Sequence, residues 1–208
     1  MMKKNLFLST VVALAMTAVC GTLTSCGDDD DPTPQPTKTI KSGKFNYSVI
    51  VNKELTDWAN VSVTITPSVG NATTTTLTAA NARTANNLLD EELLYLDPIV
   101  TTLPGNPGDY YVYTIAVNLP QFPATVKAEY QATIKEGNNL TADSRVNVTL
   151  VSGYGLYTNT NQSFAGTSLA VSGLGVKGDK LADYLSQQLP SLKSTYTFSV
   201  VNGSLVVK

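Results

Sequence analysis

Apolar side chains recur at every second position along much of this chain, and that pattern admits few folds. Successive residues of an extended strand point to opposite faces, so a period of two means a strand with one buried face. Within Lys44–Asn52, the residues Phe45, Tyr47, Val49 and Val51 share a side, and within Asn60–Thr66 so do Val61, Val63 and Ile65. Tyr111, Tyr113, Ile115, Val117 and Leu119 make the clearest long run. Val126, Ala128, Tyr130, Ala132 and Ile134 alternate with Lys127, Glu129, Gln131 and Thr133, which puts the second set in water. Val146, Val148 and Leu150 continue the series.

The breaks between runs are equally specific. Pro120 and Pro123 interrupt the chain where a corner between strands is expected. Asn202-Gly203 suits a two-residue type I′ turn, which needs positive φ at both positions. Pairing Val201 with Ser204 sets Val200 opposite Leu205 and Phe198 opposite Val207, so that apolar residues meet on one side. Thr73–Thr78 reads as an edge strand. Asp179 is placed to cap a helix over Lys180–Leu189, with Leu181, Tyr184, Leu185 and Leu189 in one stripe and Pro190 at its end. Asn86–Leu96, with Leu88, Leu89, Leu93 and Leu94, reads as a short helix or an ordered loop. The sum is a mainly β protein, an antiparallel β-sandwich of Ig-like type with one short helix in its C-terminal region. A calycin- or lipocalin-like β-barrel would show the same alternation and is the alternative.

Chemistry is bounded chiefly by what is missing. The chain has no histidine and only two cysteines, which removes Ser-His and Cys-His nucleophile pairs and zinc sites built on those ligands. No cofactor or metal is expected, and the region beyond residue 42 has no Asp-x-Asp-x-Asp-Gly calcium loop. Charged residues are 14% of the chain and the net charge is −2. Without a basic cluster, nucleic acid is not an expected partner.

The N-terminus has a different character. Lys3 and Lys4 precede a mostly apolar stretch from Leu6 to Val19, followed by small residues, which is the order of a secretory signal peptide over residues 1–25. Polar residues interrupt that stretch too often for a spanning helix. Leu23-Thr24-Ser25-Cys26 resembles the lipobox of bacterial lipoproteins. The resemblance implies that Cys26 carries lipid and ties the protein to a membrane, since two or more acyl chains anchor stably. Cys20 fits less well because Val19 is not small. Gly27 and Asp28-Asp29-Asp30-Asp31 resemble the export tract of Bacteroides-type surface lipoproteins, which implies an outer-membrane, cell-surface location. Residues 26–42, with Pro32, Pro34 and Pro36, form an acidic and proline-rich linker of extended type. Residues 43–208 are expected to be one β-rich domain.

Two groups of residues could carry function. Trp58 lies beside Asp57 and Asn60, Tyr110-Tyr111 follows Asp109, and Tyr154 and Tyr157 flank Gly155 in an expected loop. Aromatic faces near amides and carboxylates suit sugars, and Trp58, Tyr154 and Tyr157 are the candidate ligand contacts. Packing is the competing role for a lone Trp and for Tyr111. The carboxylates Glu91, Glu92, Asp97 and Asp109 fall in expected loops and could supply the acid pair of a glycosidase, whereas Glu129 faces solvent. The expected function is a non-catalytic cell-surface module binding a glycan or protein, of the kind that could be accessory to uptake or adhesion. The alternatives are a pilus-like assembly subunit and a carboxylate-based hydrolase.

Overall fold

The computed structural model describes residues 39–208, with the backbone alone for 167–169. Ten strands form two five-stranded sheets, and every pairing between strands is antiparallel. The first sheet contains β1 (Gly43–Asn52), β4 (Arg83–Thr84), β5 (Tyr110–Leu119), β7 (Arg145–Thr158) and β8 (Ser163–Lys177), ordered β4-β5-β1-β7-β8. The second contains β2 (Ala59–Pro67), β3 (Thr73–Leu77), β6 (Ala124–Ile134), β9 (Ser194–Val201) and β10 (Ser204–Val207), ordered β10-β9-β6-β2-β3. Both sheets keep free edges, so the architecture is a β-sandwich and not a closed barrel.

The alternating apolar sets meet between the sheets. Phe45, Tyr47, Val49 and Val51 of β1 pack in one core with Val61, Val63 and Ile65 of β2, Val126 and Ala128 of β6, and Phe198 of β9. At its centre Phe45 has ring centroids 5.5 Å from Phe198 and 5.6 Å from both Tyr154 and Tyr196. The corner carrying Pro120 and Pro123 joins β5 to β6 and carries the chain from one sheet to the other. The terminal hairpin has the expected register, and Asn202 and Gly203 hold φ of 51° and 78°. Tyr111 is only partly buried, with the Lys53 ammonium 5.2 Å from its ring centre.

Three features depart from the sequence reading. Asp179 lies in a 3₁₀ turn, Gly178–Lys180, and the N-cap of α3 (Leu181–Gln188) is Lys180, without a side-chain cap. The helix is held instead by burial: Leu181, Leu185, Leu189 and Leu192 belong to the core, and α3 with the following 3₁₀ turn packs against β6 and β8. The second helix, α2, runs Asp90–Val100 and not Asn86–Leu96, passing through Pro98. Strand β8 was not legible, because glycines at 166, 173 and 175 and two register shifts against β7 erase its alternation. A further short helix, α1 (Lys53–Trp58), links β1 to β2.

Residues 39–42 are tied to the strands that follow. Ile40 is buried, and the Asn159 carboxamide accepts from the Lys41 and Ser42 amides while donating to the Thr39 carbonyl. The signal peptide, Cys26 and the acidic tract lie outside the described residues. Among the described residues no helix is long and apolar enough to cross a membrane.

Candidate functional site

β1 is buried on both faces, and its second face explains where α2 sits. Asn46, Ser48 and Ile50 alternate with the core residues and point to the outer side of the first sheet. There Ile50, Val112 and Tyr110 pack with Tyr95, Leu96 and Ile99 of α2 in a second, smaller core. Glycines in β7 let the helix approach. A Cβ at Gly155 would stand 2.8 Å from Tyr95 Cε1, and one at Gly153 would stand 3.2 Å from Tyr95 Cδ2. No other residue type leaves that space.

The most concentrated polar chemistry of the described domain lies at the N-terminal end of α2. Glu92 is fully buried. Its Oε2 accepts from Arg83 Nη1 at 2.6 Å and from the Leu89 amide at 2.9 Å, and its Oε1 accepts from Arg83 Nη2 and Thr114 Oγ1. Thr114 Oγ1 lies 2.7 Å from Ser48 Oγ, which lies 3.0 Å from Tyr95 Oη. Strand β4 is only two residues long, and it places Arg83 opposite Val112 on β5. Burial pushes the Glu92 carboxyl up, but the bonds from Arg83, Thr114 and Leu89 outweigh it and hold it below the ordinary carboxylate range. The Arg83 guanidinium rises above its usual value through its bond to Glu92. Burial raises the Tyr95 hydroxyl, which keeps its proton.

This cluster clamps the start of α2 to the first sheet. A general acid or base needs a free lone pair or proton facing a substrate, and both Glu92 oxygens already take two bonds each. The other carboxylates do not join it as a pair. Glu91 is exposed and pairs with Lys44 at 3.6 Å, Asp97 is exposed on α2, and Asp109 ends a 3₁₀ turn, Pro107–Asp109. Glu91, Glu92 and Asp97 therefore lie on a helix where loops were expected, because Tyr95, Leu96 and Ile99 give that segment a face to bury. Glu129 faces solvent as expected and pairs with Lys193. Among the described residues no group of three potential metal ligands converges.

The aromatic candidates are dispersed. Tyr154 and Tyr157 belong to strand β7 and not to a loop, and three residues apart they face opposite sides of the sheet. Tyr154 is in the central aromatic cluster, with its ring 4.6 Å from that of Tyr196. Tyr157 points to the α2 side, where its hydroxyl donates to the Glu91 carbonyl. Trp58 ends α1 and packs partly against the main core. Tyr110 is buried, and its hydroxyl donates to the Pro104 carbonyl at 2.6 Å.

Sequence reasoning missed Arg83, Thr114 and the outward side of α2. There Leu89, Leu93 and Leu94 are 46%, 46% and 51% exposed. The signal was present: a helix with leucines at both i and i+1 cannot bury them all on one stripe. Comparison of the chain with protein-family models, with curated proteins and with solved structures finds no match in any of the three.

Proposed function

We propose that this chain is a lipid-tethered, cell-surface binding module without catalytic activity. One observation carries the non-catalytic part: Glu92, the one buried charged side chain among the described residues, is fully engaged by Arg83, Thr114 and the Leu89 amide. Glu91, Asp97, Asp109 and Glu129 stand apart in solvent, and none has a second acid placed beside it for proton transfer. The tether rests on the resemblance of Leu23–Cys26 and Asp28–Asp31 to surface-lipoprotein signals, and it places the domain where binding partners are extracellular.

Protein is favoured over glycan as the ligand. Trp58, Tyr154 and Tyr157 share no surface, whereas three half-exposed leucines do, and an apolar patch is what a protein partner covers. Strand exchange of the pilus type has less support, because each free edge is blunted. β4 has two residues and β10 has four. At the end of β3, Asn81 donates to the Thr76 carbonyl and accepts from the Thr78 amide. Opposite β7, β8 carries an extra residue at each of two register shifts.

The reading is tested on the full-length protein. Radiolabelled fatty acid should enter the wild type and not Cys26→Ala, which should leave the envelope fraction. The purified domain should turn over none of a panel of aryl glycosides, esters and phosphates. Turnover abolished by Glu92→Gln in a variant that remains folded would sink the non-catalytic reading.

A further inference from the structure

We propose that the outward side of α2 docks a protein partner that offers an apolar groove rimmed by lysine or arginine; this rests on the binding-module reading above and names its surface. Leu93 and Leu94 stand side by side on the outward side of α2, and Leu89, its N-cap residue, lies one turn before them. They are half exposed although the opposite side of the same helix supplies Tyr95, Leu96 and Ile99 to a core. Fraying does not explain the exposure. The helix is fixed to the sheet by the ion pair of Arg83 with the buried Glu92 and by the seat of Tyr95 over Gly153 and Gly155.

Charge identifies the partner. Asp90, Glu91 and Asp97 border the leucines, and the sequence holds no basic residue between Arg83 and Lys127. Arg83 is occupied by Glu92, and Lys44, the basic group that reaches the helix, is paired with Glu91. Asp90 and Asp97 thus leave the rim negative. A second copy meeting this patch about a two-fold axis would set like charges against each other. An anionic lipid surface would be repelled in the same way. A basic-rimmed groove would be attracted.

The experiment uses the full-length chain on its own cells, with a photo-crosslinking amino acid in place of Leu94 or, as control, of Thr195 on the outer face of the second sheet. A polypeptide adduct at 94 and none at 195 is expected, and the adduct is identified by mass spectrometry. Against that purified polypeptide, L93S with L94S should weaken binding about 30-fold or more while the thermal midpoint holds, since both side chains are half exposed. D90N with D97N should slow association and flatten its salt dependence. Adducts at 195 alone, a glycan or lipid adduct at 94, or undiminished affinity of the leucine variant would overturn this surface and leave the module reading standing. No adduct at either position, with no retention on an array of cell-surface glycans, would overturn both.

Discussion

Replacing Arg83 with Met tests the clamp that fixes α2. The side chains are similar in length, so the perturbation is the loss of charge and of two donors to Glu92. Glu92 has no solvent to turn to, being fully buried. It can escape by taking up a proton, which from an ordinary glutamate value of about 4.3 costs about 3.7 kcal/mol at pH 7. That agrees with the roughly 3–5 kcal/mol lost when one partner of a buried ion pair is removed. For a domain of this size each kcal/mol moves the midpoint by about 2–4 °C, so Arg83→Met should melt about 10 °C lower at pH 7. The sign of the pH dependence is the sharper part. In the wild type the folded-state pKa of Glu92 is depressed, so its contribution is present above about pH 4.3 and lost as pH falls through the folded value. In Arg83→Met burial is opposed only by the Thr114 and Leu89 bonds and raises that pKa, so the variant gains stability on acidification, by up to about 1.4 kcal/mol per pH unit. Urea denaturation of both proteins at pH 7, 6, 5 and 4.5 reads the gap directly. It should close steadily toward low pH, and adding Glu92→Leu to Arg83→Met should restore most of the loss at pH 7. A gap that stays constant from pH 7 to 4.5 would refute the argument.

Three other substitutions follow from the packing. Gly155→Ala puts a methyl 2.8 Å from the Tyr95 ring and should cost about 1–3 kcal/mol by chemical denaturation, with Tyr95→Leu in the same chain relieving part of it. Phe198→Ala empties the centre of the aromatic cluster and should cost about 3–5 kcal/mol in the same assay. Asn159→Ala releases the bonds that hold Thr39, Lys41 and Ser42, so amide exchange at Lys41 and Ser42 should speed by about tenfold while β1 remains protected. In an alkaline absorbance titration Tyr95, Tyr113 and Tyr130 should hold their protons past the ordinary tyrosine value of about 10, because burial raises all three. Stability should accordingly fall as pH rises above that value, and full ionisation near pH 10 in the folded protein would contradict the burial.

The legible parts of the chain were those whose information is local. A period of two in β1, β2, β5 and β6, and Asn202-Gly203 in the last turn, require only neighbours in sequence, and each strand or turn lies where it was read. Strand β8 failed the same reading because bulges and glycines break its period, and the second half of β7 failed because it is apolar or small on both faces. Asp179 drew attention as a cap from its residue type alone, while the burial of Leu181, Leu185, Leu189 and Leu192 decided where that helix starts. The candidate ligand aromatics show the limit most plainly. Tyr154 and Tyr157 flank one glycine, yet the pleat sends them to opposite sides of a sheet.

By itself the sequence determined an antiparallel β protein without histidine chemistry, since composition and alternation are properties of single residues and their near neighbours. Only the tertiary structure decided that a second layer, α2, covers the outer face of the first sheet. It alone brought Arg83, Glu92 and Thr114 together. Those three come from separate elements, and no periodicity encodes a bond between a two-residue strand, a helix and a sheet. The same docking divides the leucines of α2 into buried and exposed, because which side of a helix is inside depends on where its neighbour lies.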